Sequence, residues 1–208
     1  MPFTLPQRWP FCWWVAAALD HFSRFIVAHA VFRHEPDAAE VQGLLDRAVG
    51  FAGRAPKYTV TDQGSQFRRR YRRWCRAHGV RPRFGAVGKC GSIAVIERFW
   101  RSLKQECLRL IAVPFGRAAM EAEVVAYLSW YNGSRPHQSL GGATPLERLT
   151  GARPAGVRPG IVTRARYPLA APKGRGPPRR RARRPMDLVI AHEPGRPHLP
   201  IVSLRPAA

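Results

Sequence analysis

The sequence predicts an α/β fold, a mixed sheet flanked by helices, and three observations predict it. Short apolar runs that stop at polar breaks alternate with longer segments whose apolar residues recur at helical spacing. The 208 residues can bury one sizeable core and little more, so one main domain with an appendage is expected. Beyond Gly151 the composition changes to Pro and Arg, which marks where that domain ends. The boundaries read as a core over residues 1 to 151, a basic Pro/Arg-rich linker over 152 to 185, and a short closing β-hairpin over 186 to 208.

The run "WWVAAAL" ends at Asp20, and after "HFSR" a second run, "FIVAHAVF", begins. Two such runs joined by a tight polar connection predict adjacent antiparallel strands, the first buried on both faces, with Asp20 capping the turn through its side chain. Residues 38 to 51 carry Val41, Leu44, Leu45, Ala48 and Val49 at helical spacing, and Gly53 and Pro56 close that helix. Tyr58–Thr61 is β-prone and stops at the carboxylate of Asp62. Next, "QFRRRYRRWCRAHG" places Phe67, Tyr71, Trp74 and Cys75 on one stripe with arginines around the rest, a cationic amphipathic helix ended by Gly79. "VRPRF" reads as a short edge strand, because Pro82 cannot donate to a ladder on its second side. After the glycine loop "GAVGKCG", Ser92 is a candidate N-cap for a helix with the stripe Ile93, Ile96, Trp100, Leu103, Cys107 and Leu110. A further helix over 117 to 131 uses Met120, Val124, Tyr127, Leu128 and Tyr131, and the final hairpin turns at Pro194 and Gly195.

The formal charge is +22, from 35 Lys and Arg against 13 Asp and Glu, and arginine supplies nearly all of the excess. A polyanion is the partner such charge implies, and forked guanidinium groups match phosphate. Half of the excess lies in residues 151 to 208, where 13 basic residues face two acids. Cys12, Cys75, Cys90 and Cys107 have no paired spacing and read as reduced core thiols, neither a zinc site nor a disulfide frame. No apolar run is long enough for a membrane span, and the opening segment lacks the charged head of a signal peptide, so a cytoplasmic protein is expected.

Two carboxylates carry the candidate chemistry. Asp62 sits at a strand exit, and Glu97 shares a helix face with Arg101 and Lys104 at i, i+4 and i+7. By itself that second pattern is also what a solvated surface ion pair looks like. Acids at a strand exit and on a later helix crossing the same sheet can meet across one cleft, as metal-dependent phosphodiester chemistry requires.

Four stretches, "VTDQGSQF", the glycine loop, "GSIAVIERFWRSLKQE" and "WYNGSRPHQSLGGATPLE", together resemble the integrase catalytic core of insertion-sequence transposases, relatives of retroviral integrases, over residues 9 to 151. The resemblance implies a ribonuclease H-like fold and an Asp, Asp, Glu triad that uses Mg²⁺ or Mn²⁺ to cut and join DNA. Asp62 matches the second Asp and Glu97 the Glu, with 34 residues between them, in agreement with the family's spacing. "LDHFSR" resembles an element downstream of the first Asp, so the chain is expected to lack the first strand, its metal ligand and any preceding DNA-binding domain. The family reading also implies DNA partners (element ends and target), homo-oligomers when active, and a bacterial cytoplasm with the protein on the nucleoid. Arg101, Lys104 and Lys89 would follow DNA phosphates, and Arg179, Arg180 and Arg181 would form a nonspecific DNA arm. Asn132, Arg135 and His137 are expected on the turn after the last long helix, His137 as a structural histidine. Two other readings stay open: a noncatalytic basic nucleic-acid-binding remnant, and a ribonuclease H-like nuclease acting on hybrids.

Overall fold

The computed structural model describes residues 2–3, 12–85, 93–152 and 186–207. Strands β1 (Pro2–Phe3), β2 (Trp13–Leu19) and β3 (Ile26–Phe32) form an antiparallel sheet in the order β1-β2-β3. The β2–β3 register slips between Ala18 and Leu19, where the chain enters the turn. There Asp20 Oδ2 accepts from the Ser23 amide at 2.7 Å and the Ser23 hydroxyl at 2.5 Å, the capping role its position predicts. Both faces of β2 meet apolar groups. Trp13 and Val15 belong to one buried cluster, and Trp14, Ala16 and Ala18 pack against another.

Helix α1 (Ala38–Ala52) starts in a capping box of Asp37 with Glu40 and ends at Gly53, whose φ of 67° suits a residue without Cβ. Its apolar residues form two stripes. Leu44 and Ala48 face β2 and β3, whereas Leu45 and Val49 face the cluster of Tyr71, Trp74, Cys75 and Val80. Strand β4 (Tyr58–Thr61) pairs in parallel with β5 (Arg81–Phe84), and α2 (Arg69–Ala77) makes the crossover after a 3₁₀ turn, Ser65–Phe67. Among the described strands β5 pairs with β4 alone, as Pro82 requires. Among the described residues no strand joins β2 to β4, so the expected mixed sheet is present as an antiparallel and a parallel piece, and α1 packs against both sides.

Helix α3 (Ala94–Leu103) continues into one π-helical turn, Lys104–Leu108. That wide turn changes the predicted stripe. Phe99, Leu103, Cys107 and Leu108 are buried, while Leu110 is 58% exposed, because a turn wider than 3.6 residues rotates the side chains after it onto another face. Ser92, the expected cap, lies outside the described residues; the residue preceding the helix, Ile93, makes no side-chain cap. Cys12 is exposed and so is not the core thiol expected of it, since it precedes β2 and stays outside the sheet; Cys75 and Cys107 are buried, and Cys90 lies outside the described residues.

Helix α4 (Arg117–Gly133) buries the five residues read from its spacing and Trp130 besides. Asn132 ties it to the sheet: its Oδ1 accepts from the Ile26 amide at 2.9 Å, and its Nδ2 donates to the Ile26 carbonyl at 3.2 Å. A capped short helix, α5 (Pro145–Thr150), comes next. Strands β6 (Met186–Glu193) and β7 (Arg196–Pro206) form the closing hairpin around Pro194 and Gly195. The hairpin docks on the core. Leu199 is fully buried, Trp130 Nε1 donates to the Pro200 carbonyl at 2.9 Å, and Arg196 spans both oxygens of Glu123 at 3.1 and 3.2 Å.

His137, on the turn after α4, is buried edge-on against Tyr131, with ring centroids 4.7 Å apart. Burial, then the charge of Arg135, pushes its pKa from 6.5 down to about 4, against the opposing effect of a hydrogen bond to the Tyr131 backbone. The folded protein therefore holds this ring neutral where an unfolded chain protonates it. Proton uptake on unfolding lies between pH 6.5 and about 4, so the contribution to stability is complete above that window and is lost as pH falls through it. The full loss is on the order of 3 kcal/mol. His29, also lowered by burial, acts in the same direction. Urea unfolding followed from neutral pH down through this window should show a falling free energy; a flat profile contradicts a buried neutral His137.

Candidate active site

Strand β4 ends at Asp62 because the carboxylate folds the chain back on itself: Oδ1 accepts from the Gly64 amide at 3.1 Å. This local turn feeds the 3₁₀ segment and α2, and it leaves Asp62 exposed at the end of the parallel pair. Glu97 is exposed in the first turn of α3, its amide bonded to the Ile93 carbonyl at 3.0 Å. Since Phe99 and Leu103 must face the core, Glu97, Arg101 and Lys104 are turned outward together, and they line one open cleft of about 310 Å³.

Arg109 and Gln105 line the same cleft. Arg109 was not legible in the sequence. It stands five residues after Lys104, a spacing that an α-helix places on another face, and the π-helical turn brings it round, with its amide on the Lys104 carbonyl at 3.1 Å. Asp62 is not among the residues lining this cleft. Lys89, Arg179, Arg180 and Arg181 lie outside the described residues. Among the described residues no three His, Cys, Asp or Glu side chains gather closely enough to hold a metal ion.

A third carboxylate on the same helical run has a different environment. Glu106 accepts the fork of Arg135, Nε at 2.8 Å and Nη2 at 2.5 Å, and the Tyr127 hydroxyl at 3.1 Å. Burial, and then the negative charge of Glu106, pushes the Tyr127 pKa far above its ordinary value, so that hydroxyl remains a donor. The coordination of Glu106 is thus filled by the fold. Asp62 and Glu97 form no ion pair with any described cation, although Arg101 is one turn from Glu97.

Two family models described as Integrase core domain match residues 2–90 and 78–145, and together they cover more than half of the chain. The chain belongs to the integrase core domain family. Asp62 and Glu97 both fall within the matched residues. The chain is 30% identical over 138 residues to the transposase InsK for insertion sequence element IS150 of Escherichia coli, covering 64% of this chain and 47% of that protein. It is 33% identical over 133 residues to a 31.7 kDa protein of insertion element IS407 from Burkholderia multivorans, covering 62% of this chain and 46% of that one. The chain therefore spans about half the length of these relatives.

Solved integrases share the fold. A chain of the simian T-cell lymphotropic virus intasome, in complex with PP2A regulatory subunit B56 gamma, superposes with a TM-score of 0.60 at 17% identity over 79% of this chain and 57% of that one. The HTLV-2 integrase catalytic core domain, solved with magnesium, gives 0.52 at 15% identity over 71% and 90%. The BIV integrase core gives 0.51 at 23% identity over 68% and 87%. The ribonuclease H-like reading of this integrase core is thereby established.

The two kinds of carboxylate should separate on substitution. Glu106→Ala strands a largely buried guanidinium and should cost on the order of 2 to 4 kcal/mol, whereas Glu97→Ala and Asp62→Ala, at exposed positions, should stay within about 0.5 kcal/mol of the parent. Thermal and urea unfolding of the three variants checks this, and equal losses would mean that Glu97 and Asp62 are structural.

Proposed function

We propose that this chain carries out the DNA chemistry of an insertion-sequence transposase: it binds DNA and takes part in metal-dependent phosphodiester cleavage and strand transfer, with Asp62 and Glu97 as the metal-holding carboxylates. The observation that carries the reading is the exposed Glu97 on a wall with Arg101, Lys104 and Arg109, within a chain of the integrase core family. An anionic oxygen flanked by cations suits a site that holds a cation and a phosphate together.

The donor chemistry fits Mg²⁺ or Mn²⁺. Both side chains offer hard carboxylate oxygens in contact with water, and only Oδ1 of Asp62 is engaged, by one backbone amide. Such an ion, when bound, activates a water or 3′-hydroxyl and steadies the leaving oxygen of an in-line displacement. Arg101, Lys104 and Arg109 hold the DNA backbone by its phosphates, and Lys89 with Arg179, Arg180 and Arg181 extends that contact beyond the described core. The DNA partners are the ends of the element and its target, and the active form is a homo-oligomer, as the dimeric solved form of the HTLV-2 core suggests by analogy. None of the described helices is long and apolar enough to cross a membrane, and the proposed place of action is the bacterial nucleoid.

A second reading has its own observation. Asp20 is not matched to the first Asp of the triad, and its Oδ2 serves the turn by accepting from the Ser23 amide and hydroxyl. A noncatalytic DNA-binding remnant would look the same. The deciding assay compares the chain as given with a form extended upstream by a strand carrying an Asp, each with Mg²⁺ or Mn²⁺ and element-end DNA. Under the catalytic reading the extended form nicks and joins DNA, and Asp62→Ala or Glu97→Ala abolishes this while DNA binding persists. If neither form reacts although both fold and bind, the remnant reading holds; if the given chain reacts as fast as the extended one, the triad assignment is wrong.

The basic tail gives a further expectation. With half of the net charge in residues 151 to 208, DNA binding should be sequence-tolerant and steeply salt-dependent. Replacing Arg179, Arg180 and Arg181 with Gln, which leaves the docked hairpin in place, should lower both the affinity and the slope against log salt. Equal affinities across a salt series would remove this arginine run from DNA binding.

A further inference from the structure

Next to the Glu97 wall, α3 has another polar face. Ala94, Arg98 and Ser102 succeed one another at i, i+4 and i+8 and line a second cleft of about 430 Å³. Its other walls are Arg24, from the turn after β2, and Arg135 and His137, from the segment after α4. Among the described residues no carboxylate lines it.

Three properties of this cleft ask for a ligand. Three arginines line it, and only Arg135 is matched by a described acid, Glu106. Like charges lining one cleft repel one another until an anion arrives. Arg24 stands at φ 66°, the one non-glycine residue with a positive φ among those described. A glycine would meet the need of that turn without the roughly 1 kcal/mol cost of a left-handed side chain. What arginine adds is its head group: Nη1 donates to the His21 carbonyl at 2.6 Å, and further N–H donors remain. Finally, His137 is 7% exposed, lines the cleft, and its Nε2 is buried without a hydrogen-bond partner. A buried polar atom left so is costly unless something completes it.

We infer that this cleft binds a backbone phosphate of a nucleic acid, with Arg24 and Arg98 supplying forked donors and His137 Nε2 closing the site from inside. Nε2 is shielded in the structure as it stands, so it meets a phosphate oxygen when the ring tilts toward the cleft and takes up a proton. The anion makes that uptake favourable by offsetting the cations that oppose it. The charged and titratable groups around the ring are Arg24, Arg98, Arg135 with its partner Glu106, and Tyr131. The site stands on its own geometry; the identity of its ligand rests on the DNA reading above, and it adds a contact on the α3 face that neither Glu97 nor Lys104 occupies.

The test uses the full chain with ¹⁵N-labelled histidine. Inorganic phosphate and a short single-stranded oligonucleotide are titrated separately, while the His137 Nε2 resonance is followed. Oligonucleotide affinity is measured across salt for the parent, Arg24→Gly, Arg98→Gln, and Arg54→Gln as an equal charge loss at an exposed position outside the cleft. Both probes should move the Nε2 resonance. Arg24→Gly and Arg98→Gln should each weaken the oligonucleotide about three- to tenfold and reduce the salt slope by about 0.7 to 1, more than Arg54→Gln does. Arg24→Gly should unfold no more easily than the parent, since it relieves the strained φ, so a loss of binding there is not a loss of fold. A resonance that responds to neither probe, or equal effects of all three variants, overturns the proposal. A response to phosphate alone, with oligonucleotide bound elsewhere, overturns the nucleic-acid ligand. No oligonucleotide binding anywhere on the chain sinks the DNA reading itself.

Discussion

Helix α4 has to be buried on most of its circumference, and the rest of the main core is arranged around the polar groups that this burial would otherwise strand. Six of its residues are buried, including two tyrosines and a tryptophan. Four polar side chains on these faces meet partners outside the helix: Asn132 meets Ile26 of β3, Tyr127 meets Glu106 in the wide turn, and Trp130 and Glu123 meet Pro200 and Arg196 of β7. An unmet donor or acceptor in such a place costs about 1 to 3 kcal/mol. Four such constraints on one helix fix where β3, the end of α3 and the hairpin can sit, and Leu199 then fills the space between them.

The orientation of α3 is a consequence of that arrangement. Phe99 packs edge-on against Tyr131 with centroids 5.2 Å apart, and Leu103 and Cys107 continue the buried line. Once that line is fixed, helical geometry alone decides that Glu97, Arg101 and Lys104 face one cleft and Arg98 and Ser102 another. The site is thus placed by residues that take no part in it. Asp62 is placed through a separate chain of contacts, since β4 belongs to the parallel pair and reaches the antiparallel sheet by way of α1, whose two stripes touch both halves.

Local order was largely legible in the sequence, and long-range pairing was not. Period-two and helical spacing, Asp37, Gly53, Gly79 and Pro82 each act within a few residues, so the strands, α1, α2, α4 and the hairpin come from them. The π-helical turn is not written in spacing, which is why Leu110 reads as core and Leu108 does not until Arg135 and Tyr127 are seen to hold Glu106 in place. The Glu106–Arg135 and Glu123–Arg196 pairs join residues far apart in the chain, and nothing local distinguishes these acids from Glu97. Asp62 was singled out by its strand exit and Glu97 by its helix face, and the family pattern then set them apart from the other acids, whereas Arg24 could be singled out only once its backbone conformation was known.

Charge balance bears directly on the two exposed acids. In a chain with 35 basic residues and 13 acids, an acid has many cations available, and several here find one: Glu106 takes Arg135 and Glu123 takes Arg196. Asp20 and Asp37 are instead used by the backbone, one in a turn and one at a helix start. Glu97 has Arg101 at the favourable i,i+4 position and still forms no bridge with it. An exposed bridge there would add only about 0.3 to 0.5 kcal/mol, too little to draw the two side chains from water. The same weakness leaves the carboxylate open to a divalent cation, whose charge density exceeds that of a guanidinium, while the arginine stays free for phosphate. Stability therefore neither needs nor forbids that use of Glu97, and the core around α4 can hold the helix in place whatever its outer face binds.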